Sequence, residues 1–187
     1  MSTVAARPTQ REAADRALVL YAFVRRGTIE HVLDGADAEP GRVVQAERAR
    51  QETDRWLATH GLEPALNETE RRLLRAESGL WPPEAIVDAM WRREALGMLL
   101  WALGHIEEVP PYDTEFDRHA LEAAIVDSGS VGRFRELSFL RRDDELVPAL
   151  DEADTWFGAT AGVEGDDAMA SLSAERRWTL SWLLGVA

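Results

Sequence analysis

Between Pro82-Pro83 and Pro110-Pro111 lies a stretch that is apolar on nearly every side when wound as a helix. At about 100° per residue, Ile86, Val87, Met90, Trp91, Met98, Trp101 and Ala102 share one broad face. Ala89, Leu96, Leu99, Leu100 and Leu103 cover most of the other side. A helix with no polar side belongs in the middle of other helices. The prolines are placed for a first helical turn, and the pattern runs to about Ile106. Glu94 breaks it, because its direction falls among Val87, Met90 and Trp101, away from Arg92 and Arg93. A carboxylate buried alone costs several kcal/mol, so it must be paired, hydrogen-bonded or protonated. Two readings follow. Glu94 bonds an arginine of another helix, Arg176 or Arg177, and locks the bundle; or it lines an internal pocket and meets a ligand.

Helical signals recur along the chain. Arg11 to Arg26 is rich in Ala, Leu and Arg, with Gly27 as a stop. Gly41 to His60 closes at Gly61, and Asn67 with Glu70 forms a capping box that opens Glu68 to Glu77. Phe116 to Val126 and Asp144 to Ala159 follow, the latter with Pro148 in its first turn or at a bend. Ser128 to Gly132 and Gly162 to Asp167 read as loops, and Ser173 as the cap of a last helix ended by Gly185. No segment alternates with period two, so a sheet is not expected. The 187 residues suit one domain. The expectation is an all-α, single-domain orthogonal helical bundle around a buried central helix, spanning residues 11–187 after a flexible stretch over residues 1–10.

The motifs themselves have a likeness. Trp91-Arg92-Arg93-Glu94-Ala95-Leu96, Leu99-Leu100-Trp101-Ala102-Leu103-Gly104 and Ile106-Glu107-Glu108-Val109-Pro110 resemble the signature of a bacterial family, domain of unknown function 4272. Leu140 to Leu146 and Glu175-Arg176-Arg177-Trp178-Thr179-Leu180-Ser181-Trp182-Leu183 are similar to its later helices, so the likeness covers residues 42–185. The chain departs from the family where Asp154-Thr155-Trp156-Phe157-Gly158-Ala159 replaces a Tyr-Arg-x-His-Trp-Ala segment. The resemblance implies a helical fold and supplies no activity.

Composition narrows the chemistry. There is no Cys and no Lys, so all 21 basic residues are Arg. Thiol nucleophiles, Cys-ligated zinc, Schiff-base lysines and the phosphate-binding lysine of a P-loop are excluded. A formal charge of −13 argues against nucleic acid and anionic membranes, which need a positive field, and fits a basic protein partner. Helix packing also allows a homodimer. With no leader pattern, and an early apolar run (Ala17 to Val24) far short of the ~20 residues a spanning helix needs, a cytoplasmic protein is expected.

Candidate sites are few. Asp113, Glu115, Asp117 and His119 could offer oxygen and imidazole to a divalent cation, although the spacing fails an EF-hand. Acidic runs of this kind are ordinarily solvated surface. Trp91, Arg92, Glu94, Trp101, Arg176, Arg177 and Trp178 form the candidate ligand-binding or structural network. No cofactor pattern is found and none is expected. The favoured function is a non-catalytic interaction or regulatory protein. The alternative is a small-molecule-binding or hydrolase-like enzyme using Glu94 and the acidic run.

Overall fold

The computed structural model describes residues 6–34, 40–163 and 167–186. These residues form eight α-helices and no strand. The helices are α1 (Gln10–Leu33), α2 (Pro40–Thr59), α3 (Glu68–Arg75), α4 (Pro83–Ala102), α5 (Arg118–Val126), α6 (Val131–Leu137), α7 (Asp143–Thr160) and α8 (Asp167–Leu184). No described helix is long and apolar enough to cross a membrane. The fold is all-α, and α4 packs against α1, α8 and α5.

Local chemistry explains most boundaries. Thr9 with Glu12 and Asn67 with Glu70 form reciprocal capping boxes at α1 and α3. Helix α4 stops at Ala102, short of the expected Ile106, because Gly104 takes φ +77°. Its last carbonyls are met by the chain that crosses there: Phe139 N–H donates to Leu103 O at 3.1 Å and Arg141 N–H to Ala102 O at 2.8 Å. Helix α7 continues through Pro148, which near the helix start forfeits only one ladder bond.

Three expectations are corrected. Gly27 does not stop α1; the helix runs on to Leu33, and Gly27 packs tightly against Ala89 of α4. A Cβ there would lie 2.5 Å from the Ala89 Cβ. Ser173 is not a cap but a buried mid-helix residue, its hydroxyl donating to Met169 O at 2.8 Å. The stretch after Ser128 is not simply loop, since Ser130 accepts from Arg133 N–H at 3.1 Å and so caps α6.

Buried leucines, alanines and aromatics from α1, α3, α4, α5, α6, α7 and α8 form one core. The side of α4 carrying Ala89, Leu96, Leu99 and Leu100 is shut within it. The Trp-bearing side is shut in only at Ile86, Met98 and Ala102. Trp91 and Trp101 are half-buried, and Val87 is 54% exposed. The helix is therefore enclosed on its aliphatic side and, at Ile86, Met98 and Ala102, on part of the other, while Val87 and the two tryptophans reach the surface, so it is not surrounded all round as expected.

Charged pairs fasten the connections. Arg16 grips Glu70 through two bonds of 2.6 Å and donates to Ala65 O at 3.2 Å, tying α3 and the turn before it to α1. Arg26 meets Glu30 at 2.6 Å, both almost fully buried. Glu30 in turn accepts from Gly79 N–H at 2.9 Å and Trp81 N–H at 3.3 Å, fixing the α3–α4 connection.

At Gly27 packing and propensity conflict. Alanine gains about 1 kcal/mol of helix propensity, but forcing a methyl onto rigid Ala89 costs ~1–3 kcal/mol. Gly27→Ala is therefore expected to lower the thermal midpoint. Gly158→Ala in α7, where nothing lies within 4 Å of the new methyl, is expected to raise it by a few degrees. A midpoint for Gly27→Ala at or above wild type in a calorimetric scan would refute the close approach.

Candidate functional site

Glu94 lies at the start of the fourth turn of α4 and is 0% exposed. Its Oε2 accepts from Arg176 Nε of α8 at 2.9 Å and forms an ion pair with the terminal nitrogen of the same guanidinium at 2.8 Å. Its Oε1 accepts the backbone N–H of Phe116 at 3.0 Å. Arg176 is equally sealed and has further partners. It donates to Pro110 O at 2.8 Å and Thr114 O at 2.8 Å. Its guanidinium sits 4.8 Å from the Tyr112 ring and 5.0 Å from the Phe116 ring.

The pair therefore fastens the α4–α5 connection, residues 110–116, over the junction of α4 and α8. Gly97, one turn beyond Glu94, makes room for it: a Cβ there would fall 2.3 Å from the Phe116 ring. Burial pushes the Tyr112 phenol well above its ordinary value, and its ring stacks on Trp156 at 5.7 Å. Arg93 completes this corner, pairing with Glu115 and lying 4.0 Å from Glu94. None of the five main cavities reaches Glu94.

The remaining candidates separate. Arg92 bonds Glu175 at 3.1 Å and lies 5.7 Å from the exposed Trp178 ring. Burial holds the Glu175 carboxyl above its ordinary value despite that arginine. Arg177 is on the surface, paired with Asp154 and lying over Phe157. Trp101 carries Arg141 at 4.9 Å, and Trp91 packs at the core's edge. So Glu94 and Arg176 meet, Arg92 and Trp178 meet elsewhere, and Arg177, Trp91 and Trp101 join neither.

The acidic run does not converge. Asp117 caps α5, accepting from His119 N–H at 2.6 Å and Ala120 N–H at 3.3 Å, which holds its carboxyl below the usual range. Glu115 is taken by Arg93, Asp113 accepts from the Thr114 hydroxyl at 3.1 Å, and His119 is exposed. Among the described residues no three His, Asp or Glu side chains stand close enough to share an ion.

One surface feature was not foreseen. An apolar groove of about 350 Å³ opens between α1, α2, α5 and α6. Buried Leu18, Ile125 and Phe134 make its floor, half-buried Tyr21 and Trp56 its walls, and Val126, 57% exposed, its lip. Arg25, Glu52 and Ser130 supply polar atoms at its edge. Only Trp56, an aromatic in an otherwise polar helix, could have signalled it. The groove also needs α6, which the Ser-Gly run conceals.

Removing the Glu94 charge leaves Arg176 buried without its carboxylate. Breaking a buried pair from one side costs ~3–5 kcal/mol. Glu94→Gln is expected to lose about that much in urea denaturation and to speed amide exchange over residues 110–116. An unchanged midpoint would remove the pair from its structural role.

Comparison with known proteins adds a family and nothing further. The family model described as domain of unknown function (DUF4272) matches residues 2–187, and the chain belongs to that family. No curated protein and no solved structure matches it.

Proposed function

We propose that this family member is a non-catalytic binding protein, and that the groove between α1, α2, α5 and α6 receives an apolar side chain from a basic protein partner. The observation that carries the reading is a contrast. Glu94, the acid that the apolar helix α4 carries into the interior, is bonded on both oxygens and reached by none of the five main cavities, whereas aromatic surface stands open in the groove. A catalytic carboxylate has to reach its substrate directly or through one water.

The occupant follows from shape and charge. At about 350 Å³ the groove is at the lower end for small-molecule sites and suits one or two anchoring side chains. With 34 acidic against 21 basic residues, a second copy would be repelled and a positively charged surface attracted. The absence of cysteine fits work in a reducing compartment, so the partner is sought in the cytoplasm.

The test uses a fluorescent amphipathic helix of leucine and lysine and its leucine–glutamate counterpart, read by anisotropy. Wild type is expected to bind only the basic peptide, with Val126→Asp weakening binding about tenfold, the equivalent of one buried Val side chain. Simple charge attraction predicts the reverse, since the variant is more acidic. Equal or tighter binding by Val126→Asp, or equal binding of both peptides, overturns the groove as the docking site.

A further inference from the structure

A smaller cavity, separate from the Glu94 pair, lies where α1, α4 and α5 meet, with a volume of about 140 Å³. Val24, Ile29, Leu96 and Leu121 give it apolar walls. That volume is close to the ~150 Å³ of an engineered protein cavity known to hold one benzene ring. Its polar atoms are not those of an ordinary core gap. Arg25, Arg93 and Arg118 all line it, against a single carboxylate, Glu122.

Three arginines around one small apolar space stand out in a chain of net charge −13. Arg25 and Arg118 form no ion pair among the described residues. Arg93 spends its terminal nitrogen on Glu115, and its Nε, 4.0 Å from Glu94 Oε1, is within ion-pair range of that carboxylate but buried with no hydrogen-bond partner among those residues. A buried donor without a partner is costly and uncommon, and an anion or water supplied from outside would satisfy it. Guanidinium forks are shaped for carboxylates in particular.

We infer that the cavity is a binding site for a small monocarboxylate with a compact apolar body of about one ring, its ring seated between Leu96 and Leu121 and its carboxylate held by Arg118, Arg25 and Arg93. The wall is partly common property, since Tyr21 and Arg25 also line the groove proposed for protein docking. Variants are therefore placed at Arg118 and Ile29, which do not line the groove. Arg118 is exposed and Ile29 half-buried, so neither change opens the core.

Benzoate and its neutral isostere benzamide are titrated into the full chain and followed by ligand-detected NMR. Benzoate is expected to bind with Kd near 1 mM or below, about −4 kcal/mol, and benzamide at least tenfold more weakly. Arg118→Ala should weaken benzoate about tenfold, as removal of one charge-assisted hydrogen bond does. Ile29→Trp, which fills the cavity, should abolish binding, with both variants melting as wild type does. If a variant melts lower, its comparison is made with Arg118→Gln or Ile29→Phe instead. Equal affinity for benzoate and benzamide, undiminished binding by Ile29→Trp, or no benzoate binding up to about 10 mM each overturns the proposal. Neither peptide titration bears on these outcomes, so this site and the groove stand or fall separately.

Discussion

Three arginine–glutamate pairs, shut away from water, hold the connecting segments of this protein to its core helices. Arg16–Glu70 ties down α3, Arg26–Glu30 ties down the turn before α4, and Arg176–Glu94 ties down the chain that leads into α5. In each case the pair also bonds backbone groups that would otherwise be stranded indoors. That is where the energy lies. Two charges brought out of water gain little from each other alone, but each exposed N–H or C=O they satisfy avoids a further penalty. It also explains the choice of cation. A guanidinium has five donors in a fixed plane and can serve a carboxylate and several carbonyls together, as Arg176 does, whereas an ammonium has three donors and a tighter hydration shell. A chain with 21 basic residues and no lysine is consistent with that use.

The same economy bears on function. Glu94, the acidic run and Arg176 are groups from which catalysis could be built, and each is engaged in holding backbone or a neighbouring side chain. A charge fixed by several bonds is poorly placed to exchange protons or to reach a reacting atom. What stays less committed lies around α1: the aromatic groove on one flank and, on the other, a cavity whose Arg25 and Arg118 form no ion pair among the described residues.

How much of this could be read from the residues depended on contrast. Glu94 was visible because it interrupts an apolar helix, and its need for a partner followed at once; that Arg176 rather than Arg177 supplies it depends on the facing of α8, where one arginine turns inward and the next is 45% exposed. Arg16, Arg26 and Glu30 gave no such signal. Arg16 and Arg26 flank the apolar run of α1 at ends where a charge ordinarily points to solvent, and only the long extension of α1 beyond Gly27 carries Glu30 into the core. Gly27 misled for the same reason. A glycine reads as a stop when the contact that requires it is with Ala89, far along the chain. Capping boxes at Asn67 and the prolines before α4 were legible because their chemistry is local. The groove was not, because it is made by four helices, one of them begun by a serine in a run resembling a linker.

Helix α5 shows how the two open spaces relate. It is a short helix, and its buried side chains are Leu121 and Ile125. Both belong to the core, and Leu121 also lines the arginine-rimmed cavity and Ile125 the aromatic groove, so each anchor of this helix has packed neighbours on one side and an open space on the other. By contrast α1 and α4 are buried along most of their length. Local stability follows apolar contact, and elements that meet ligands come from its low end. The Glu94–Arg176 pair fixes the segment that leads into α5, setting where the helix begins, while the packing of its own side chains stays incomplete on both flanks. A fixed entry followed by a short helix with two core anchors places α5 between the two open spaces.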